Sequence, residues 1–567
     1  MIKQHLIKST IQSTFQSTTR LLPMAVAAVL SSLPLVAPSA IANEVVPRLP
    51  QAIDPGARDR ELQRREERIE QKERQDNAPV FEDDTSTSKE APADAQSTKF
   101  VLRSIRFSKS EQLTRDELTG IVQPWLGKEV GFADLTAIVE QVNKLYRSKK
   151  IFTAAAILPK QEIKDGVVIV RLVEGKLGKV NVEGNSYIQS EYVQKWLEKQ
   201  QNNTNIDIEY LEEDIQRFNR VNDQRLMAEL RAGESFGLTD IVINVQEPDQ
   251  NSFQLFADNY GYQSSGDQEV GFYYQRQRLW LDGDRSLFYT TKTKGSSSYS
   301  LSYNAPVKDT GARVGISASY SDTEVVEGDF EDIDVKGDSQ ALNFDASWLA
   351  LSYSNFWINL VGTLGHTWSK TDVEEVSLSE YRLAQAQSGV QLTWFGPRWQ
   401  VTARQTVGFA ENQDQLLDKD RQFVLYRGNF TAISRPLPTN FYGLFQSDWQ
   451  FTNKEGLPGS VSYSLGGPAS IRGYDPGFVS GDEGYYLESE LHYDGFTLAE
   501  GVLDSYVFYD WGQVKSLNPT ETLAALGVGV AWQSHGWAFD FTVARALRDV
   551  IPGQDDWASF GRVSVNF

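Results

Sequence analysis

The sequence GGPASIRGY occupies residues 466–474 and lies inside a long region of short alternating segments. Its glycines and its proline do not fit the interior of an ordinary β-strand, so the stretch predicts a structured loop between strands. Its single charge, Arg472, could bind a carboxylate on a surrounding wall through the fixed fork of its guanidinium group. Two interpretations stay open from this stretch alone: a loop held inside a barrel, or a surface hairpin with an incidental arginine.

The residues around this loop, 253–567, alternate with the period of β-strands. One face is apolar or aromatic and the other is small or polar, as in the pairs of sets Tyr299, Leu301, Tyr303 against Ser298, Ser300, Ser302, and Val314, Ile316, Ala318 against Gly315, Ser317, Ser319. This is the pattern of a transmembrane β-barrel with lipid outside and water inside. A soluble β-sandwich has the same period, so the alternation alone leaves both architectures open. The inequality of short turns and long polar loops favours the barrel.

The longest acidic stretch in this region, residues 322–340, predicts a solvated loop. Its acids are Asp322, Glu324, Glu327, Asp329, Glu331, Asp332, Asp334 and Asp338. Calcium could bind carboxylates of this kind, but the spacing does not match a calcium-binding loop. We therefore expect no metal site here.

The composition excludes several classes of function. The chain of 567 residues has a formal net charge of −21, which makes nucleic acid an unfavourable partner. It has no cysteine and four histidines, so disulfides, thiol nucleophiles and most zinc sites are excluded. We expect no cofactor, and we expect His366, His492 and His535 to be wall or girdle residues rather than ligands.

The N-terminus has the features of an export signal. Positive charges precede an apolar run over residues 21–37, and the small-x-small pattern at residues 40–42 predicts cleavage after residue 42. Past this run there is no apolar stretch of 18 residues, so the sequence contains no candidate membrane-spanning helix. If the exported chain is integral to a membrane, it must cross it as a closed barrel.

A short irregular segment, residues 43–54, is followed by a charged helix predicted over residues 55–76. Asp54 and Pro55 suit the start of a helix, and the segment contains seven acids and seven bases. A helix that is polar all round lies in water or in a water-filled lumen, and 22 residues span roughly 33 Å. A solvated charged linker is the alternative from this stretch alone. Residues 77–99 predict a flexible linker.

Two similar α+β units follow, at residues 100–175 and 176–247. The order of elements in each is β-α-α-β-β, with a capping box at Thr114 and Glu117 and an amphipathic helix over residues 135–146 in the first. Repetition at about 75 residues indicates duplicated modules rather than one large core.

Together these features resemble the outer-membrane translocators of two-partner secretion, which export haemolysins and filamentous adhesins and which join periplasmic POTRA modules to a barrel. The resemblance covers nearly the whole mature chain. The matching motifs are LPKQ at 158–161, DG at 165–166, VEG at 173–175, VEGN at 182–185, DNYG at 258–261, YNAP at 303–306, the Arg472 loop, and FYDWG at 508–512. The Arg472 loop is the most specific, and it departs from the commonest form only at Ile471 and Tyr474.

The resemblance implies the fold class: a transmembrane antiparallel β-barrel of 16 strands at residues 253–567, preceded by two α+β POTRA domains and an N-terminal helix that plugs the pore. It implies that the sixth extracellular loop folds back inside as a lock formed by Arg472, Gly473 and Tyr474. Carried over by position, Asp510 is the first choice for the wall acid that binds Arg472, and Glu488 is the second.

The implied function is recognition of an unfolded exoprotein in the periplasm and its secretion through the barrel. An edge strand of a POTRA module would pair with an extended client segment. The candidate edges are residues 152–158, which begin at Phe152 and end at Leu158, and residues 226–230, which begin at Leu226 and end at Leu230. The expected partners are the secreted exoprotein, the lipid bilayer of the outer membrane and the machinery that inserts barrels, with no nucleic acid.

Other functions fit the sequence less well. The stretch GESFG at residues 233–237 matches a nucleophile-elbow pattern, but it joins two predicted strands of a hairpin instead of a strand and a helix, so we expect no enzyme. A factor that assembles other barrels belongs to the same superfamily and is the main alternative, although such factors usually carry more than two POTRA modules. A passive porin would not need POTRA modules.

Overall fold

The computed structural model describes residues 99–149, 151, 154–159, 161–174, 176–197, 208–234, 238–328, 330–435, 440–515 and 520–567. The predicted signal peptide, N-terminal segment and plug helix, and residues 77–98 of the predicted linker, lie outside the described residues, as does Phe152. No helix among the described residues is long and apolar enough to cross a membrane.

The first α+β unit packs two helices on a small mixed sheet. Its elements are β1 (Phe100–Val101), β2 (Ser104–Phe107), α1 (Arg115–Val122), β3 (Glu129–Val130), α2 (Phe132–Ser148), β4 (Ala154–Ile157) and β5 (Val167–Glu174). The sheet order is β2-β5-β4, with β2 parallel and β4 antiparallel to β5. The helix α2 buries one stripe, Leu135, Ile138, Val142 and Tyr146, as its period predicts.

The second unit repeats this arrangement. Its elements are β6 (Lys176–Glu183), α3 (Ser190–Trp196), α4 (Ile208–Val221), β7 (Arg225–Ala232) and β8 (Leu238–Gln246). The sheet order is β6-β8-β7, again with one parallel and one antiparallel pair. In both units the last helix is followed directly by an edge strand, β4 or β7.

The remaining strands form a closed antiparallel barrel of 16 strands within the described residues, which confirms the predicted fold class of this region. They are β9 (Asn251–Asp258), β10 (Glu269–Gln277), β11 (Arg285–Lys292), β12 (Ser296–Pro306), β13 (Ala312–Glu324), β14 (Val335–Ser352), β15 (Phe356–Val373), β16 (Val376–Gly396), β17 (Trp399–Asp414), β18 (Lys419–Ser434), β19 (Phe441–Thr452), β22 (Glu483–Leu498), β23 (Gly501–Lys515), β24 (Thr520–Ser534), β25 (Trp537–Ala546) and β26 (Trp557–Asn566). Strand β26 pairs with β9 and closes the cylinder.

The alternation in the sequence separates the two surfaces of the barrel. Outward side chains such as Leu301, Leu491 and Val507 are more than half exposed, while Glu490 and Phe508, next to them in the sequence, point inward and are buried. A sandwich would bury its apolar face in a dry core. The apolar face therefore lies on the outside, as a membrane-spanning barrel requires.

The second α+β unit contacts the short turns at one end of the barrel. Arg220 of α4 donates hydrogen bonds to the Ser352 hydroxyl and the Tyr353 carbonyl and lies 4.8 Å from the centre of the Trp357 ring. In return, Arg313 at the start of β13 donates to the carbonyl oxygen of Val221, the last residue of α4, at 2.8 Å. These contacts fix the α4 end of the unit to the barrel.

Residues 453–482 connect β19 to β22 at the opposite end of the barrel and return into its interior. They contain a two-stranded sheet of β20 (Tyr463–Leu465) and β21 (Val479–Gly481). We call residues 453–482 the inner loop. Its apolar side chains pack against the wall, in a buried cluster of Tyr463, Leu465, Ile471, Tyr474, Tyr486, Val514, Leu523, Ala525 and Ala546. The alternative of a surface hairpin is therefore wrong.

Candidate functional site

The glycines of the inner loop allow its sharp return. Gly466 and Gly467 have φ angles of +113° and +88°, in the left-handed region that side chains disfavour. A Cβ atom on Gly466 would also lie 2.3 Å from the Asp475 carbonyl oxygen. The hydroxyl of Ser470 accepts a hydrogen bond from the Gly466 amide and donates to the Gly466 carbonyl, at 2.9 and 3.1 Å. The loop is therefore a rigid turn that presents the next residues to the wall.

Arg472 is held by two carboxylates of the barrel wall. Its backbone amide, Nε and Nη2 donate to Asp510 on β23 at 3.1, 2.8 and 2.6 Å, and its Nη1 donates to Glu490 on β22. The guanidinium carbon also lies 3.5 Å from the centre of the Phe508 ring. Arg472 is 6% exposed and Asp510 is fully buried. We call Arg472, Asp510 and Glu490 the arginine lock.

The neighbours of Arg472 fit a narrow space. A Cβ atom on Gly473 would lie 2.7 Å from the Ala525 side chain, so only glycine lets the loop approach the wall this closely. The Tyr474 hydroxyl lies 3.1 Å from the Ala524 carbonyl oxygen and 2.9 Å from that of Arg548. Together with the contact of Arg472 with Glu490 on β22, these contacts join the loop to the wall on both sides of β23.

Arg472 also binds a second wall acid, Glu490, which was not expected from the sequence. Glu488 is buried and is the register partner of Asp510 across the β22–β23 pair, but the carboxylate that receives the other arm of Arg472 belongs to Glu490. Glu488, Glu490 and His492 share the inward face of β22. Strict alternation along this strand was the signal that could have identified Glu490.

The proposed client-binding residues occupy different environments. Leu158 lies just past the end of β4, and Leu230 on β7 is 37% exposed. Leu226 is 1% exposed, because it packs in the core of the second unit, so its side chain is not accessible to a client. Of the GESFG stretch, Gly233 and Glu234 are described, and they follow β7, which runs antiparallel to β8.

Comparisons with known proteins identify relatives across the chain. The model of the family described as haemolysin secretion/activation protein ShlB/FhaC/HecB matches residues 237–532, and that of the ShlB-type POTRA domain matches residues 100–175. The chain is 24% identical over 491 residues to the heme/hemopexin transporter protein HuxB of Haemophilus influenzae strain 86-028NP, covering 81% of this chain and 86% of HuxB. It is 23% identical over 546 residues to the outer membrane transporter CdiB of Dickeya dadantii strain 3937, covering 90% of this chain and 95% of CdiB.

Solved structures with the same fold include CdiB from Escherichia coli and a BamA fragment from Haemophilus ducreyi that lacks POTRA domains 1–3. CdiB aligns with a TM-score of 0.64 at 19% identity, covering 92% of this chain and all of CdiB. The BamA fragment aligns with a TM-score of 0.53 at 15% identity, covering 83% of this chain and all of the fragment. These likenesses show the shared architecture of a barrel with preceding modules.

Proposed function

The chain belongs to the haemolysin secretion/activation protein family ShlB/FhaC/HecB, and on that premise we propose that it captures an unfolded exoprotein in the periplasm and secretes it through its barrel. It is an outer-membrane β-barrel with its POTRA region in the periplasm, as the resemblance predicted. The exoprotein would be an adhesin-like or haemolysin-like protein. The proposal of a transported partner is based on the similarity to HuxB, a heme/hemopexin transporter protein, and to CdiB, an outer membrane transporter.

The observation that carries this proposal is the buried arginine lock, which fixes the inner loop to the wall inside the barrel. A passive pore has no need of an arginine fixed by two wall carboxylates, since each buried charge costs desolvation free energy. A lock made of ionic hydrogen bonds can exchange between held and released states without loss of the barrel itself. No step requires a cofactor or a chemical reaction. We infer that folding of the client outside the cell drives its passage.

We infer that residues 176–247 form a second POTRA domain beside the one at residues 100–175. In both modules an asparagine of the last helix makes the same two hydrogen bonds to the edge strand. In the first module, the Asn143 side chain of α2 accepts from the Ala156 amide of β4 at 2.7 Å and donates to its carbonyl at 3.4 Å. In the second, the Asn219 side chain of α4 accepts from the Leu226 amide of β7 at 2.7 Å and donates to its carbonyl at 3.0 Å.

These asparagines cover the outward backbone groups of the edge strands, which would otherwise pair with any extended chain. Strand β4 has only four residues, so the Asn143 cap covers its centre. Strand β7 has eight residues, and Asn219 covers only its beginning. Among the described residues, none bonds the outward amides and carbonyls of Ala228 and Leu230.

We therefore place the client-docking edge on β7 at residues 228–230 and not on β4. An extended client segment would add a strand there by backbone hydrogen bonds, with an apolar side chain against the exposed Leu230. At Leu226 this edge is not available to a client, because the Asn219 side chain bonds the Leu226 amide and carbonyl. The β4 edge near Leu158 is blocked by Asn143 unless that side chain moves.

Secretion by a strain that expresses the chain and a client of this family tests the function. We expect Arg472→Ala to reduce export at least about tenfold while the barrel still inserts, because Asp510 and Glu490 lose their buried counter-charge. Arg382→Ala, which removes an exposed arginine on β16, is the matched control and should export normally. Normal export by the Arg472 variant would contradict the lock's role, and loss of other barrels from the membrane instead of the client would favour barrel assembly.

A further inference from the structure

His492 lies on β22 between two carboxylates of the barrel wall. Its Nε2 atom is 2.7 Å from Glu490 Oε2, and its Nδ1 atom is 2.9 Å from Asp504 Oδ2 on β23. Ionised carboxylates only accept hydrogen bonds, so each ring nitrogen must carry a hydrogen to make both contacts. The geometry therefore fits the positively charged imidazolium form, because a neutral ring would direct a lone pair at one carboxylate.

Two tyrosine rings enclose this imidazolium. The Tyr442 ring stacks on the His492 ring, with the ring centres 4.4 Å apart and an angle of 14° between the planes. The Tyr506 ring also stacks on the His492 ring, at 4.7 Å and 22°. Aromatic faces stabilise a cation that is removed from water, and His492 is only 6% exposed. The stacking also prevents the ring from rotating away from Glu490 and Asp504.

Glu490 joins this histidine to the arginine lock. One of its oxygens accepts from His492 and the other accepts from Arg472. We propose that His492 is a positioning residue: its charged ring holds Glu490 against Arg472 and so keeps the inner loop in place. The contacts continue toward the POTRA end of the barrel, where the Tyr442 hydroxyl donates to Asp504 and the Arg435 guanidinium lies 5.1 Å from the Tyr442 ring.

The direction of the pH dependence follows from the same contacts. The titratable or charged groups that surround His492 are Glu490, Asp504, Tyr442, Tyr506 and, through Glu490, Arg472. The protonated ring satisfies both carboxylates. As the pH rises and the ring loses a proton, one nitrogen becomes an acceptor facing a carboxylate oxygen, and the loss of the positive charge weakens the hold of the ring on Glu490. The lock should therefore be firm at low pH and weaken at high pH.

Spin labelling of the full chain in liposomes measures this effect directly. The sequence has no cysteine, so Asp475→Cys gives a single label site on an exposed position of the inner loop. With His492 present, as in the natural chain, we expect an immobile label at about pH 6 and a several-fold larger mobile fraction at high pH, where the ring is neutral. In His492→Gln the mobile fraction should be about tenfold higher at the low pH and should not change with pH.

Three variants decide whether His492 acts through Glu490. Glu490→Gln should raise the mobile fraction, and adding His492→Gln to it should have no further effect. His535→Gln is the matched control, since His535 faces Glu500 at 3.5 Å on an exposed turn, and its label should behave as in the natural chain. An immobile label in His492→Gln, a pH response that survives that change, or additive effects in the double variant would each overturn the proposal.

The expected effect on export rests on the proposed function, but the expected effect on the mobility of the label does not. If the label responds as expected and His492→Gln secretes normally, the positioning role stands and the link from the lock to secretion fails. If His492→Gln does not insert, the pH titration of the natural chain and of Glu490→Gln still tests the proposal: a label that stays immobile at high pH in the natural chain would overturn it.

Discussion

Arg562 on the last strand of the barrel donates two hydrogen bonds to Asp258 on the first strand. The Nε and Nη2 atoms lie 2.8 and 2.6 Å from Asp258 Oδ2. The guanidinium group also lies 4.4 Å from the centre of the Phe256 ring and 4.7 Å from that of Tyr260. This ion pair is the inward-facing link across the seam that closes the cylinder.

The seam needs such a link because its backbone pairing is short. Strands β26 and β9 share five register pairs, whereas β9 and β10 share eight. Beyond the end of β9, the Asn259 side chain extends the pairing: it accepts from the Gly561 amide and donates to the Ser559 carbonyl, both at 2.8 Å. Side chains thus supply hydrogen bonds that the short ladder lacks.

We predict that Arg562→Ala lowers the stability of the barrel. The change leaves the fully buried Asp258 side chain without its cation, which should cost about 3–5 kcal/mol. Heat-modified migration in detergent gels would measure it as a lower temperature of barrel unfolding. Arg545→Ala is the control, because the Arg545 side chain is 57% exposed and its contact with Asp556 is long, at 3.9 Å between Nη2 and Oδ2. Equal unfolding temperatures for the two variants would contradict this role of the seam pair.

We predict that Ala228→Pro reduces client binding to the POTRA region. Proline removes an outward amide of β7 that a client strand would use, and it leaves the pairing of β7 with β8 in place because that amide is not part of the ladder. Capture of an extended client segment by the full-length chain should fall at least about tenfold. Arg231→Ala changes a charged side chain of the same strand and should bind normally. Unchanged capture by Ala228→Pro would move the docking edge elsewhere.

We predict that the first POTRA module loosens at low pH through Glu174. Burial raises the pKa of this carboxyl, but hydrogen bonds from Ser110, the Glu111 amide, Tyr146 and the Gln112 amide outweigh burial, so the net pKa is lowered. Because the folded pKa lies below the unfolded one, the stabilisation is complete above the ordinary value of about 4.3 and is lost as the pH falls below it.

Hydrogen exchange of the amides at residues 111–113, corrected for intrinsic rates, measures this loss. Glu174→Gln should show reduced protection already at neutral pH, because it lacks the charge that strengthens these bonds. Glu162→Gln is the control on an exposed residue of the same module. Protection in Glu174→Gln that equals the natural chain would show that the carboxylate contributes little.

We propose that residues 55–76 plug the pore, and we predict that their deletion raises single-channel conductance in a planar bilayer. A charged helix of this length spans roughly 33 Å and suits a water-filled lumen. Replacement of the segment by a Gly/Ser-rich stretch of equal length should raise conductance equally, because it keeps the tether and removes the helix. Unchanged conductance on deletion would make the segment a linker.

The periodicity of the sequence predicted the strands of residues 253–567 and the two α+β units, because a period of two or 3.6 is a local property that each strand or helix carries by itself. The same is true of the inner loop: the glycines and proline around Arg472 marked a turn that no strand could accommodate. That the strands form a barrel was favoured by the unequal loops and implied by the resemblance. The resemblance to the secretion family rested on such local motifs, and the comparisons confirm it.

Only the tertiary structure decided which residues meet. Glu490 was not expected as a second acid beside Asp510, and His492, the Asn143 and Asn219 caps and the Arg562–Asp258 pair had no signal in the sequence strong enough to identify them. Apart from the pair Glu490 and His492 on β22, these contacts join residues on different elements, and a shift of strand register by one residue would turn every inward side chain outward. The sequence alone determined the alternation and the turns; the register of neighbouring strands, set by the closure of the whole cylinder, determined the lock.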